Sequence, residues 1–334
     1  MSASAFLDRL GASIDEDLMA DLADTALAVE SVLSQQMRSD VPLAEKIGRL
    51  TLEAGGKRMR PALVALSAHA TGRPFDRSRA VQLGACMEMV HMATLVHDDV
   101  IDEAATRRGV PTAAHAHGNT ASVLSGDALL ARAMVLLADD GDLQVIRLVS
   151  RAVVEMAEGE VREVASRGVF HLGLDEHLAI LRMKTAAFIE ACCRVGAMVA
   201  GAPQSEQDAL GQFGHHVGMA FQVMDDMLDY QGDPAKTGKP RATDFREGCA
   251  TWPLIDLSGT EDLSPWAAVF GNGVTDDQIT SLVERMELAG SFRRVLHAAA
   301  DDVRNAKQAL SALPESAARE TLAGVADFVL ERQA

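Results

Sequence analysis

Two short acidic patterns are the first candidates for chemistry in this chain. Carboxylates one and four residues apart occur twice, as Asp98, Asp99 and Asp102 and as Asp225, Asp226 and Asp229. Residues four apart lie on one face of an α-helix, so each pattern pairs two carboxylates. Mg²⁺ is held by one or two carboxylates together with substrate phosphates. We name these patterns the first and second aspartate motifs. We predict that, facing each other, they bind a Mg²⁺-bound diphosphate.

Cationic segments accompany the acidic ones. Lys57, Arg58 and Arg60 follow two glycines at the expected start of a helix, where a diphosphate could bind without metal. The paired Arg107 and Arg108 follow the first aspartate motif and could address two different diphosphates. An isolated acidic or basic helix end is more often a solvated surface, so the case depends on their joint occurrence.

The elements that would position these residues are helical. Helical periodicity predicts helices at 14–37, 43–54, 61–70, 77–103, 119–138, 143–166, 175–201, 205–231, 239–257 and 276–332 with breaks. Alternation over strand length is missing, so we expect no sheet, and 258–275 is a plausible irregular connection. We predict one all-α domain spanning 1–334.

Composition narrows the class of protein. The chain has 334 residues, 48% of them hydrophobic, and a formal net charge of −17. This charge argues against nucleic acid as a partner. Four cysteines without metal-ligand spacing predict free thiols in a reducing compartment. With neither a signal-like N-terminus nor a run of 18 apolar residues, we expect a soluble, cytoplasmic protein.

Seven motifs in order resemble those of the trans-type polyprenyl diphosphate synthases. These motifs are Gly55-Gly56-Lys57-Arg58-x-Arg60-Pro61, Glu88-Met89-x-His91, Asp98-Asp99-x-x-Asp102, Arg107-Arg108-Gly109-x-Pro111-Thr112, Gly126-Asp127-x-Leu129, Lys184-Thr185 and Phe221-Gln222-x-x-Asp225-Asp226-x-x-Asp229. The resemblance covers about 50–257 strongly and 276–332 loosely. It implies a large helical bundle around a deep central cavity, normally as a homodimer, with transient membrane association through the lipid product.

The resemblance also implies a reaction and a role for each residue. An allylic diphosphate would bind Mg²⁺ held by aspartates, ionise, and be attacked by isopentenyl diphosphate. The implied metal ligands are Asp98, Asp102, Asp225 and Asp229. The implied substrate-binding residues are Lys57, Arg60, His91, Arg107 and Arg108. The implied catalytic residues are Lys184, Thr185, Gln222 and Lys239.

One position departs from the family pattern. Where the family has a second lysine after the second aspartate motif, this chain has Cys249, so one cation of the diphosphate site is missing. The candidates to replace it are Lys236, Arg241 and Arg246. The substitution leaves the reaction class intact but puts the rate and the product in question.

Small side chains favour a long product. Ala93 and Thr94 are the fifth and fourth residues before Asp98, where short-chain relatives carry a bulky aromatic, so the tunnel is expected to be open. We favour a long-chain synthase serving quinone side chains. The alternatives are a geranylgeranyl or farnesyl diphosphate synthase, with a deeper plug from Met134 or Leu137, and a non-catalytic partner subunit of a heteromeric synthase. A terpene cyclase is disfavoured, because cyclases generally lack a second Asp-rich motif.

Overall fold

The computed structural model describes residues 15–56, 58–107, 109–232 and 240–331. The first half of this part contains α1 (Glu16–Gln36), α2 (Pro42–Glu53), α3 (Met59–Ala70), α4 (Arg77–Ile101), β1 (Thr106–Arg107), β2 (Val110–Pro111), α5 (Ala113–His117), α6 (Asn119–Asp140) and α7 (Leu143–Ser166). The second half contains α8 (Leu174–Leu181), a π-helical segment (Arg182–Ala186), α9 (Ala187–Val199), α10 (Gln204–Gln231), α11 (Thr243–Glu247), α12 (Trp252–Ser258), α13 (Ser264–Ala267), α14 (Asp276–Ala289), α15 (Ser291–Ala309), a 3₁₀ turn (Leu310–Ala312) and α16 (Ala317–Leu330).

The all-α prediction is confirmed, and most predicted boundaries lie within two residues of the observed ones. Local chemistry explains several helix starts. The Asp15 carboxylate accepts N–H bonds at the start of α1, and Asp76 does the same for α4. Thr275 and Gln278 form a capping box that begins α14. The helices could therefore be predicted from hydrophobic periodicity, and the capping residues explain where several of them begin.

Three predictions about elements were wrong. A single helix over 239–257 is not formed, because Ala242 and Gly248 have positive φ angles of 55° and 79°, and α11 and α12 are separate. The predicted helix 175–201 contains the π-helical segment. The expectation of no sheet overlooked a hairpin in which Thr106 pairs with Pro111 and Arg107 with Val110.

The described chain groups into two compact units, both discontinuous in sequence. The first unit takes its described residues from Met1–Ser150, Ala191–Gly211 and Ser311–Gly324. The second takes them from Arg151–Glu190, Gln212–Leu310 and Val325–Ala334. Each unit has its own buried apolar core, with Leu63 and Met89 fully buried in the first and Phe188 and Phe213 in the second. The prediction of one domain over 1–334 stays a prediction.

Within the first unit, α4 and α6 share the most extensive packing between described elements. Gly126 permits this contact, since an added Cβ would lie 2.2 Å from Nε2 of His97. By length and composition, α6 is also long and apolar enough to cross a membrane, with 39% of its most apolar window buried. The sequence-based test missed it because Asp127 and Arg132 interrupt the apolar run. The core helix of a soluble protein passes the same test, so these properties alone do not assign α6 to a membrane.

Candidate functional site

The first aspartate motif lies at the C-terminal end of α4, as predicted. Asp98 and Asp99 occupy its last turn, and Asp102 is the C-cap residue, whose N–H donates to the Asp98 carbonyl at 2.8 Å. Negative charge at a helix C-terminus opposes the helix dipole, so this position favours binding of a cation. Asp99 is buried, whereas Asp102 is exposed. The motif thus divides into a buried middle carboxylate and two more accessible outer ones.

Arg107 holds the buried carboxylate of the first motif. Its Nε donates to Oδ1 of Asp99 at 2.7 Å, from a guanidinium that is 34% exposed. The β1–β2 hairpin sets this direction, and its turn includes Gly109 with φ 77°. The resemblance gave Arg107 a phosphate-binding role, which stays a prediction. Its companion Arg108 lies outside the described residues.

The basic segment near α3 contains a structural arginine. Arg58 adopts a left-handed conformation with φ 47°, and its side chain is only 6% exposed. Its guanidinium donates to Glu30 at 2.6 Å, to Glu88 at 3.0 Å and to the Leu52 carbonyl at 3.2 Å. The idea that three cations here face one diphosphate is therefore wrong for Arg58. Lys57 lies outside the described residues.

Arg60 and His91 remain the described candidates of that group. Arg60 lies in the first turn of α3, where burial lowers its pKa and the nearby Glu88 carboxylate partly opposes this. His91 is half-buried on α4, two turns before Asp98. Their proposed contact with isopentenyl diphosphate stays a prediction.

In the second unit, the π-helical segment presents Lys184. Gly159 of α7 allows the close approach, because an added Cβ would lie 2.8 Å from Met183 Cβ and 2.9 Å from Lys184 N. Lys184 Nζ lies 2.8 Å from Glu160 Oε2 and 2.7 Å from Glu163 Oε2. The two carboxylates raise the pKa of Lys184 against the opposing effect of burial. Neither glutamate was among the residues predicted from the sequence. Their spacing of three on a predicted helix was visible, but the partner was not.

Thr185 and Gln222 lie on two elements of the second unit that pack closely. Thr185 is half-buried in the π-helical segment, and Gln222 is half-buried on α10. Gly218 brings these elements together, since its added Cβ would be 2.5 Å from the Ala186 Cα. Lys239, the remaining predicted catalytic residue, lies outside the described residues.

The second aspartate motif also buries its middle residue. Asp226 Oδ2 lies 2.6 Å from Nε2 of His177 and accepts the Trp252 N–H at 3.3 Å. His177 and Asp226 are 5% and 6% exposed, so this is a fully internal contact. His177 was missed because a histidine 49 residues away in sequence carries no periodic signal.

Asp229 has a structural task besides its predicted role as a metal ligand. Its Oδ1 accepts the Thr243 N–H at 3.0 Å and its Oδ2 accepts the Asp244 N–H at 3.2 Å, at the start of α11. Burial and the neighbouring charge of Asp229 raise the pKa of Asp244 well above its usual range. The second motif is therefore built into the fold at two of its three carboxylates.

Cys249 is a half-buried free thiol beside this acidic region. Burial, followed by the charges of Glu163 and Asp244, raises its pKa to about 12, and Arg167 opposes the shift. Cys249 is therefore neutral near pH 7. It supplies no positive charge, as the sequence analysis expected of a cysteine in a lysine's place.

The donor chemistry suits a hard divalent cation that arrives with phosphate. Among the residues the structure describes, no group of three or more His, Cys, Asp or Glu side chains is arranged to hold a metal ion. Mg²⁺ typically keeps several waters and takes one or two carboxylates plus substrate phosphates, so a complete protein cage is not expected. The outer aspartates of each motif fit that requirement.

Comparison with known proteins identifies the family. The polyprenyl synthetase family model matches residues 41–283. Octaprenyl diphosphate synthase of Escherichia coli (strain K12) is 34% identical over 315 residues, which is 93% of this chain and 96% of the relative. The chain belongs to the polyprenyl synthetase family, and the prediction of a prenyltransferase is confirmed.

Solved structures agree with this assignment. The crystal structure of a decaprenyl diphosphate synthase from Rhodobacter capsulatus superposes with a TM-score of 0.88 at 35% identity, covering 95% of this chain and 98% of the other. A polyprenyl synthase from Caulobacter crescentus, complexed with calcium and isoprenyl diphosphate, gives a TM-score of 0.86 at 34% identity, with coverage of 96% and 99%. The predicted isoprenoid synthase fold is thereby confirmed.

Proposed function

We propose that the protein is a Mg²⁺-dependent trans-polyprenyl diphosphate synthase with a long-chain product. The observation that supports this proposal is that the chain, a member of the polyprenyl synthetase family, has both aspartate motifs. In each motif the middle carboxylate is buried and the two outer carboxylates are more accessible. Bound Mg²⁺ would neutralise the leaving diphosphate of the allylic substrate. The residues proposed as metal ligands are Asp98, Asp102, Asp225 and Asp229.

The protein side chains then divide the remaining work. Arg107 and Lys184 are proposed to address the allylic diphosphate, and Arg60 and His91 the isopentenyl diphosphate. Thr185 and Gln222 would line the allylic substrate and support developing positive charge. Cations that are in position before the reaction stabilise the departing diphosphate without rearrangement of the site. This electrostatic stabilisation is usually the largest contribution to catalysis of this kind.

A long product is supported by the relatives and by α4. Proteins named octaprenyl, nonaprenyl and decaprenyl diphosphate synthases match over nearly the whole chain. Ala93 lies five residues before Asp98 on the same helix, about 7 Å along its axis at 1.5 Å per residue. Neither Ala93 nor Thr94 is large enough to close a tunnel at that level.

Two alternatives have relatives of their own. A short chain isoprenyl diphosphate synthase from Methanothermobacter thermautotrophicus is 33% identical over 289 residues, so a shorter product is the second candidate. Heptaprenyl diphosphate synthase component 2 of Bacillus subtilis is 31% identical and is named as one component of an enzyme. For the present chain, two complete aspartate motifs favour an active synthase over a non-catalytic subunit.

We also propose a homodimer in the cytoplasm. Leu124, Ala131, Val135 and Ala138 are exposed along one side of α6, with Leu124 63% and Val135 57% exposed. An exposed apolar stripe at helical spacing is typical of a surface that a partner covers. The free thiols Cys86, Cys192, Cys193 and Cys249 suit a reducing compartment. Transient membrane association through the lipid product belongs to the same proposal.

A chain-length assay tests the proposal. Purified protein is given labelled isopentenyl diphosphate, Mg²⁺ and geranyl, farnesyl or geranylgeranyl diphosphate in separate reactions, and products are resolved by length after dephosphorylation. We expect octaprenyl to decaprenyl products without any added partner. A product no longer than geranylgeranyl would contradict the long-chain proposal. No diphosphate release with any primer would favour the partner-subunit alternative.

A further inference from the structure

The single ammonium group of Lys184 is contacted by two carboxylates. Glu160 and Glu163 lie within 2.8 Å of its Nζ, and the three side chains are 19–26% exposed. Two carboxylates facing one ammonium leave a net charge of −1 in a half-buried place. Their charges keep Lys184 protonated despite burial, as the raised pKa indicates.

The backbone builds this arrangement. Gly159 immediately precedes Glu160, and any side chain at 159 would collide with the backbone and Cβ atoms of the π-helical segment. The π turn and the missing side chain together bring Lys184 against α7. Glu160 and Glu163 are three apart on that helix and so face the same side. We name Glu160 and Glu163 the carboxylate clamp.

The clamp opposes the binding of an anion at Lys184. A phosphate oxygen approaching the ammonium also approaches both carboxylates, and at these distances their repulsion is poorly screened in a half-buried site. Lysine has three N–H donors and the clamp occupies two of them, so one donor remains for a phosphate oxygen and any second phosphate contact must displace a carboxylate.

Cys249 adds no positive charge near the clamp. The charge of Glu163 is one cause of the raised pKa of the Cys249 thiol, which places Glu163 in its neighbourhood. The sequence resemblance puts a lysine at this position. A lysine there would add a cation beside Glu163, whereas the neutral thiol adds none.

We propose that Glu160 and Glu163 compete with the substrate diphosphate for the ammonium of Lys184, so that each carboxylate weakens diphosphate binding there. This inference rests on the proposed function, in which Lys184 contacts the allylic diphosphate. The clamp lowers affinity for diphosphate, and Cys249 makes the competition stronger than a lysine at that position would.

Glutamine substitutions isolate the charge. Glu163→Gln and Glu160→Gln each keep an acceptor oxygen for Lys184 while removing one negative charge. The dissociation constant of inorganic diphosphate, at fixed Mg²⁺, is measured by calorimetry together with the KM for farnesyl diphosphate. We expect each variant to bind diphosphate about 3–10-fold more tightly, with a parallel fall in KM. Unchanged or weaker binding by both folded variants would overturn the clamp.

A matched control is available on the same two segments. Glu155 of α7 pairs with Arg182 of the π-helical segment at 2.8 Å, but these side chains are 38% and 46% exposed. Glu155→Gln changes the net charge equally and removes an ion pair two residues from Lys184. Its diphosphate affinity should match that of the wild type. An equal gain in Glu155→Gln would mean that net charge alone is responsible, which contradicts the clamp.

A double-mutant cycle tests the role of Cys249. Cys249→Lys should tighten diphosphate binding by adding a cation beside Glu163, so the gain should shrink in the Glu163→Gln background. Full additivity would overturn this charge-sharing step. Failure of the proposed function has a different signature. In that case the wild type would not condense farnesyl and isopentenyl diphosphates at all, whatever the binding constants of the variants.

Discussion

The two aspartate motifs have identical spacing but different surroundings. In both, the middle carboxylate turns into the protein and contacts a basic side chain. Asp99 is held by Arg107, eight residues further along the chain, whereas Asp226 is held by His177, 49 residues earlier. The first contact is made by a half-exposed arginine and the second is internal on both sides.

Because of this difference, we expect the first motif to act mainly in catalysis and the second motif also to stabilise the fold. The first motif ends α4 and is followed by a short hairpin, which Asp99 contacts through Arg107. The second motif supports its unit at two points, because Asp226 accepts the Trp252 N–H and Asp229 accepts two N–H groups at the start of α11. We therefore expect substitutions of the outer residues Asp98 and Asp102 to affect turnover with little loss of stability, and those in the second motif to affect both turnover and stability.

The largest expected effect is on turnover in the first motif. Asp98→Ala should reduce kcat by about 10²–10³-fold, because it removes an oxygen ligand for the cation that stabilises the leaving diphosphate. The dependence of the remaining rate on Mg²⁺ should be lost or shifted to much higher concentrations. Steady-state kinetics over a Mg²⁺ series measures both.

The thermal midpoint serves as the control for this variant. Asp98→Ala should melt close to the wild type. Normal rates and an unchanged Mg²⁺ series would remove the metal hypothesis for the first motif. A large fall in the melting temperature would instead show that the motif is structural, and the contrast with the second motif would disappear.

The second prediction compares the two basic partners. His177→Ala should destabilise the protein by about 2–3 kcal/mol, because it leaves the Asp226 carboxylate buried without that partner. Arg107→Ala should cost only about 1 kcal/mol, because water can reach its site. Chemical denaturation of the two variants measures the difference, and His177→Gln should recover part of the loss. Equal destabilisation would contradict the distinction between an internal and a half-exposed contact.

Features with a regular pattern along the chain could be predicted from the sequence. Periodicity gave the helices, and the ordered motifs gave the family and the candidate residues. Features that depend on contacts between segments distant in sequence could not be predicted. His177 and the carboxylate clamp depend on which faces of α7, α8 and α10 meet, and no short-range pattern records that.

Backbone exceptions form the other group of misses. Alanine favours helix, yet Ala242 adopts a positive φ and stands before α11, where the Asp229 side chain accepts the N–H groups of the new helix. Tertiary contacts overrode local propensity there. Arg58 is similar, because a cation beside glycines suggested a ligand contact and proved to be buried against Glu30 and Glu88.

The third prediction separates the two tasks of Asp229. Asp229→Ala should destabilise the protein by about 1 kcal/mol, as loss of a helix N-cap does. Asp229→Asn keeps an acceptor oxygen and should recover most of that stability without recovering turnover. Asp102→Ala, at an exposed position, should leave the melting temperature nearly unchanged. If Asp102→Ala and Asp229→Ala melt alike, the structural role of the second motif is contradicted.

The smallest expected effect on rate is for substitution of two alanines at equivalent positions on the helices that carry the aspartate motifs. Ala93 and Ala220 each lie five residues before the first aspartate of a motif, and both are buried. Ala220→Tyr should cost about 1–3 kcal/mol through overpacking, whereas Ala93→Tyr should cost less because its ring enters the expected tunnel. Only Ala93→Tyr should shorten the product, because the growing chain is expected to run along α4, while the first condensation proceeds at a similar rate. Mass-resolved product length from both variants measures this, with their melting temperatures compared. An unchanged product in Ala93→Tyr, or equal shortening in Ala220→Tyr, would mean that the first motif does not set chain length.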